Sequence, residues 1–118
     1  MVRIDELAEA ALAGDALRLR SLAQDWLAEN PDPSRCPPPR EGAPDIITVA
    51  AALVELFAER RCRPAPPWTR KAGAMSRPVY LVRAAERMRS LRRLCEEESP
   101  LPLRRRRLYA PPNFLESA

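Results

Sequence analysis

The side chains best suited to chemistry in this sequence are guanidinium groups, which form charged, bidentate hydrogen bonds with carboxylates and phosphates. Four are consecutive at Arg104–Arg107, and Lys71 is the only lysine among the 20 basic residues of the 118-residue chain. A GC-rich genome also favours arginine, so the distribution of charge is more informative than the arginine count. Residues 1–60 carry six arginines and eleven acidic residues, whereas residues 61–118 carry fourteen basic and five acidic residues. We therefore expect an anionic partner at the C-terminal half.

Enzymatic chemistry has few candidate residues in this chain. There is no histidine, no GxSxG nucleophile elbow and no Gly-rich phosphate loop. Two carboxylate pairs at helical spacing, Asp5/Glu9 and Glu55/Glu59, are more typical of a solvated helix face than of a metal site. The sequence predicts a non-enzymatic protein with no catalytic residue, metal ligand or cofactor.

The three cysteines, Cys36, Cys62 and Cys95, are isolated, with neither a CxxC pair nor a histidine to complete a zinc site. An odd cysteine count without a signal peptide favours a reducing cytoplasm. The longest apolar stretch, residues 46–58, is interrupted by Glu55 and is shorter than the ~20 residues of a membrane span. We expect a cytoplasmic protein with no membrane partner.

The elements that position these residues are predicted to be helices, because apolar residues make up 46% of the chain and only three residues are glycine. The expected fold is all-α: a single domain, residues 1–118, forming a compact bundle of about four helices joined by Pro-rich loops, with an extended C-terminal tail. Residues 1–29 predict a helical pair divided at Gly14 and Asp15, a helix stop followed by an N-cap. Residues 45–61 predict a core helix that is apolar on nearly every side.

Proline-rich segments separate the predicted helices. Residues 30–44 contain six prolines and predict an exposed connector, and residues 62–78 predict a loop whose Trp68 folds back onto the core. Residues 79–98 predict a short extended start followed by an amphipathic basic helix. An apolar seam along this helix packs against the core or against another chain, which leaves a homo-oligomer open. The seam consists of Leu81, Ala84, Met88, Leu91 and Cys95.

Residues 99–118 predict the extended tail, because the spacing of their prolines precludes a regular helix. The tail is too apolar for disorder, so it docks either on its own core or on a partner. We expect Leu101, Leu103 and Leu108 to close the fold. The residues expected to face the partner are Arg104, Arg105, Arg106, Arg107, Tyr109, Asn113 and Phe114.

A family resemblance is carried by Pro67-Trp68-Thr69, by Pro78-Val79-Tyr80-Leu81-Val82, and by the ending from Ser99-Pro100 to Phe114-Leu115. The chain resembles short bacterial proteins of poorly characterised role that are encoded beside nucleotidyltransferase-like genes, in loci that look like toxin–antitoxin or abortive-infection modules. The resemblance implies an antitoxin-like protein that binds and restrains a nucleotidyltransferase-type toxin. It implies no catalytic residue.

The alternative interpretation is a nucleic-acid-associated protein that uses its basic C-terminal half and autoregulates its operon. Acidic residues at Glu86 and Glu96–Glu98 interleave with the arginines, and no helix-turn-helix is discernible. These two observations favour a protein partner. The candidate nucleic-acid contacts are Arg83, Arg87, Arg89 and Arg93.

Overall fold

The first two helices form a tightly connected pair in the computed structural model, which describes residues 1–40 and 42–116. Helix α1 (Ile4–Ala13) and helix α2 (Ala16–Glu29) meet at the predicted junction. Gly14 ends α1 in the left-handed region with φ 72°, and the Asp15 carboxylate accepts a hydrogen bond from the Arg18 backbone N–H at 3.1 Å. The predicted stop and N-cap are confirmed, and α2 packs against α1.

Helix α3 (Pro44–Arg60) is the predicted core helix. Every residue from Thr48 to Ala58 is buried, because α1, the two Pro-rich connectors and the C-terminal segment pack around it. The Phe57 ring lies 5.6 Å from the Trp26 ring of α2. A helix that is apolar on all sides needs such neighbours, since burying each large apolar side chain contributes about 1.5–3 kcal/mol.

The two connectors are attached to each other. Each contains a short 3-10 helix, Pro33–Arg35 in the first and Pro67–Lys71 in the second. The Trp68 indole N–H donates to the Cys36 carbonyl at 2.8 Å, and the Trp68 ring packs against the core as predicted. The first connector is less exposed than its composition predicted, because this contact holds Cys36 in a buried position. Burial raises the pKa of the Cys36 thiol to about 11.

The segment predicted as one amphipathic helix, residues 79–98, is divided into three elements. Strand β1 (Val79–Tyr80) confirms the extended start, a 3-10 helix (Arg83–Glu86) follows, and helix α4 occupies only Arg89–Glu98. The prediction of a continuous helix after this start is wrong, because the backbone of Met88 is extended and separates the 3-10 helix from α4, which begins only at Arg89. The predicted seam is therefore discontinuous. Leu81 and Cys95 are buried, whereas Ala84 and Met88 are exposed.

The C-terminal segment is not the predicted extended tail. It forms a one-turn helix, α5 (Leu101–Arg104), and then strand β2 (Leu108–Tyr109), which is parallel to β1 with Val79 opposite Leu108. Pro102 is accommodated because the first turn of a helix does not need its N–H. Predicted residues 117–118 of the tail lie outside the described residues.

The tail docks on its own core. Leu103 and Leu108 are fully buried, as expected, but Leu101 is 55% exposed, and its predicted role in closing the fold is wrong. The buried Ser99 hydroxyl accepts a hydrogen bond from the Ala110 N–H at 2.9 Å and is also bonded to the Cys95 carbonyl. One serine thereby joins the end of α4 to the end of β2.

Helix accounts for 58% of the structure and strand for 3%, so the all-α prediction holds broadly, with a small two-stranded sheet added. Four helices have seven residues or more. Within the described ranges, every helix is too short or too polar to cross a membrane.

Candidate functional site

The four consecutive arginines do not share one environment. Arg104 ends α5, and the chain then turns through the next three residues before β2 begins. Arg106 enters the interior and is only 6% exposed. The prediction that Arg106 faces a partner is therefore corrected, because the turn that follows α5 directs this side chain towards α3.

The counterpart of Arg106 is Glu55, in the middle of the core helix. Both guanidinium Nη atoms of Arg106 donate to the Glu55 carboxylate, and Nη2 also donates to the Thr69 carbonyl at 2.7 Å. Arg105 approaches the same carboxylate, with Nη2 3.3 Å from Oε1. Two cations thus meet one buried anion, which joins α3, the second connector and the C-terminal turn.

Glu55 was missed as a functional residue, because its spacing from Glu59 indicated a solvated face. The side chain of Glu55 is instead only 8% exposed. The sequence did indicate that Glu55 is buried, since it is the single charged residue within the longest apolar stretch of the chain. A buried carboxylate needs a paired cation, and the basic C-terminal half is the region with cations to spare.

The other three arginines of the run are exposed. Arg104 Nη1 donates to the Glu97 carbonyl at 2.9 Å, and Arg107 Nη1 donates to the Ser76 carbonyl at 2.9 Å. Arg107 adopts a φ of 63°, which completes the turn into β2. These anchors orient the exposed guanidinium groups but leave most of their donors available for a partner.

The apolar residues expected to anchor a partner belong largely to the fold. Tyr109 is half-buried and its ring lies 5.4 Å from the Tyr80 ring of β1. Phe114 is half-buried and packs against the core, so its expected role as a free anchor is not supported by its position. Asn113 is exposed. Of the seven predicted partner-facing residues, four are exposed: Arg104, Arg105, Arg107 and Asn113.

The four candidate nucleic-acid contacts also differ in their surroundings. Arg83 donates to the Ala13 carbonyl at 2.6 Å and passes so close to Gly14 that a Cβ there would lie 2.5 Å from Arg83 Nε. Arg93 lies 4.0 Å from Glu97, a surface ion pair that contributes little. Arg87 and Arg89 are exposed at the start of α4. Among these four arginines, only Arg87 and Arg89 form no side-chain hydrogen bond or ion pair with another described residue.

Helix α4 is attached to the sheet by Tyr80. The Tyr80 hydroxyl donates to Glu96 Oε1 at 2.5 Å, and the Arg92 guanidinium lies 5.2 Å above the Tyr80 ring. The hydrogen bond to Glu96 raises the pKa of Tyr80 to about 12, because ionising the phenol would remove the donor and place two negative charges together. This contact is polar and exposed, unlike the packing around α3.

Among residues 1–40 and 42–116, no group of three or more acidic or cysteine side chains is placed to hold a metal ion. Comparison with protein families, with curated proteins and with solved structures finds no match.

Proposed function

We propose that this protein is a non-enzymatic binding module whose surface for an acidic protein partner is formed by Arg104, Arg105 and Arg107. The observation that carries the proposal is the division of the arginine run. Arg106 is fixed to buried Glu55, and this ion pair holds the turn that presents the other three outwards. A partner therefore meets guanidinium groups whose backbone is already ordered, which lowers the entropy lost on binding.

The charge of this surface specifies the partner. Guanidinium forks favour carboxylates, and arginine is among the residues that contribute most at interfaces. The resemblance to proteins encoded beside nucleotidyltransferase-like genes points to an antitoxin-like role in the cytoplasm, in which the arginines cover the acidic, metal-binding pocket of a nucleotidyltransferase-type toxin. Electrostatic complementarity would then speed association as well as stabilise the complex.

The test begins with the native operon. If a neighbouring gene encodes a nucleotidyltransferase-like protein, the two products are co-expressed and their Kd is measured. A triple variant, Arg104→Ser/Arg105→Ser/Arg107→Ser, leaves the buried Arg106 in place and is expected to weaken binding about 100-fold. The matched control, Arg87→Ser/Arg89→Ser, removes exposed charge at and just before the start of α4 and is expected to bind nearly as well as the unmodified protein. Full affinity in the triple variant would contradict the proposal.

A second candidate, nucleic-acid binding, is favoured by Arg87 and Arg89. Both are exposed at the N-terminal end of α4, where the helix dipole also attracts phosphate. A gel-shift assay on duplex DNA and on single-stranded RNA distinguishes this function. Nucleic-acid binding that weakens steeply with salt and is lost in Arg87→Ser/Arg89→Ser would replace the protein-partner proposal.

A further inference from the structure

A cleft of about 670 Å³ borders the Glu55–Arg106 ion pair, and its wall includes Glu55, Thr69, Arg70, Arg105 and Arg106. The remainder of the wall is made of small residues of the second connector, including the segment 72–74. Clefts of roughly 300–1,000 Å³ are the size used for small molecules, whereas protein interfaces are broad surfaces. The dimensions therefore suit a small ligand.

The cleft carries an excess of positive charge. Three guanidinium groups line it, Arg70, Arg105 and Arg106, against the single carboxylate of Glu55. Arg70 forms no ion pair within the described residues, and the Arg105 side chain is 53% exposed. The wall thus holds two more cations than anions. Two of its arginines, Arg70 and Arg105, have exposed side chains that a ligand can reach.

Hydrogen-bond donors in the wall remain without acceptors. Arg106 Nε is buried and has no partner among the described residues, although the side chain is only 7% exposed. The backbone amides of Gly73 and Ala74 also donate no hydrogen bond within that part of the chain. No heavy atom lies within 4 Å of the position that a Gly73 Cβ would occupy, so the backbone there borders open space. Unpaired donors beside excess positive charge are the chemistry of an anion site.

We infer that this cleft binds the phosphate group of a small organic phosphomonoester. At neutral pH such a group carries a charge of about −1.5 to −2 and three acceptor oxygens, which match the excess of three arginines over one glutamate in the wall and the unpaired amides. A carboxylate would satisfy only one of the two charges. Arg70 and Arg105 contact the phosphate, and the Glu55–Arg106 pair positions Arg105. This ligand site and the partner surface have one residue in common, Arg105.

The test is isothermal titration with phenyl phosphate at low salt and about pH 8, above the second phosphate pKa of about 6. Phenyl sulfate is the control ligand, because it has the same size but a single negative charge. Phenyl phosphate is expected to bind more tightly than phenyl sulfate, and its affinity is expected to fall as the pH is lowered to 5. Inorganic phosphate, the third ligand, is expected to bind more weakly than phenyl phosphate, and equal or tighter binding of inorganic phosphate would overturn the assignment to an organic ester.

Three variants locate the bound anion. Arg70→Gln and Arg105→Gln are each expected to weaken phenyl phosphate binding roughly tenfold, the contribution of one charge-assisted hydrogen bond. Arg89→Gln removes the same charge from α4 and is expected to leave binding unchanged. Arg104→Ser/Arg107→Ser, which tests the partner surface, is also expected to bind phenyl phosphate normally.

The inference is overturned if the unmodified protein does not bind phenyl phosphate, or binds phenyl sulfate equally well. It is also overturned if Arg89→Gln weakens binding as much as Arg70→Gln, since binding would then reflect net charge alone. Arg70 is exposed on the cleft wall, and thermal unfolding of Arg70→Gln at an unchanged Tm establishes that a loss of binding is local. Loss of partner binding in the arginine triple variant leaves the inference intact, because Arg70 takes no part in the partner surface.

Discussion

Helices α3 and α4 belong to one small fold but are held in it by different forces. Eleven of the 17 residues of α3 are buried, and ten of those eleven are uncharged. Only Cys95 is buried among the ten residues of α4. Helix α3 is stabilised by the burial of its apolar surface, since neighbouring elements cover it on all sides. The second helix depends on a few polar contacts at its ends.

The charges of α4 also oppose its own dipole. Arginines occupy its first turns, at Arg89, Arg92 and Arg93, whereas Glu96–Glu98 lie at its C-terminal end. The favourable arrangement is the reverse, by about 0.3–1 kcal/mol for each charge near a helix end. Helix α3 is therefore a structural helix, whereas α4 keeps its arginines exposed at some cost to its stability.

The largest effect is expected at the buried Glu55–Arg106 ion pair, which joins α3 to the turn between α5 and β2. Arg106→Met removes the buried cation and leaves Glu55 paired only with the exposed Arg105, whose Nη2 lies 3.3 Å from Oε1, and should lower the free energy of unfolding by about 3–5 kcal/mol. Arg104→Met is the control, because Arg104 is exposed, and should cost less than about 1 kcal/mol. Urea unfolding measures both. Equal losses in the two variants would show that the buried pair does not stabilise the attachment of this turn to α3.

The second prediction compares apolar packing in the two helices. Leu53→Ala in α3 removes a fully buried side chain and should cost about 2–5 kcal/mol. Leu91→Ala in α4 removes a half-buried side chain and should cost less than half as much, because less area is lost from contact. Chemical denaturation of both variants checks the difference. Similar costs would indicate that α4 is as well packed as α3.

The third prediction concerns the serine that joins α4 to β2. Ser99→Ala leaves the buried Ala110 N–H without its acceptor and should cost about 1–3 kcal/mol. Ser90→Ala, at an exposed position of α4, makes the same chemical change and should alter stability by no more than about 0.5 kcal/mol. Thermal unfolding distinguishes the two. A neutral Ser99→Ala would contradict the importance assigned to this polar link.

The smallest effect is expected at high pH, where α4 should loosen before α3. The pKa of Tyr80 is raised to about 12 by its hydrogen bond to Glu96, from the unperturbed value of about 10. A raised pKa stabilises the fold fully below about pH 10, and this contribution is lost as the pH rises towards 12. Absorbance titration of the two tyrosines should show one that ionises late, and Tyr80→Phe should abolish that transition.

A Glu96→Gln variant is the matched control for the titration. It removes the negative charge but keeps a hydrogen-bond acceptor beside Tyr80, so the late ionisation should move to lower pH. Amide exchange followed over the same pH range should report earlier loss of protection in α4 than in α3. Simultaneous loss in both helices would mean that Tyr80 does not govern the attachment of α4.

Much of the first sixty residues could be predicted from the sequence, because local rules decide them. Gly14 and Asp15 form a stop and a cap whatever surrounds them, and an apolar run such as residues 46–58 has to be enclosed by other elements. The segment 79–98 could not be predicted in the same way. Its extended start was predicted, and the pairing of β1 with β2, between residues 29 positions apart, holds the chain extended up to Leu81. The helical spacing that follows did not reveal the extended backbone at Met88, which delays α4 to Arg89.

The sequence by itself determined the helical class, the position of the core helix and the excess of positive charge in the C-terminal half. Only the tertiary structure decided which of four chemically identical neighbours, Arg104–Arg107, is buried. The physical reason is that burial depends on a partner distant in sequence. Glu55 needs one cation in the interior, and the turn after α5 brings Arg106 to it while leaving three arginines in solvent.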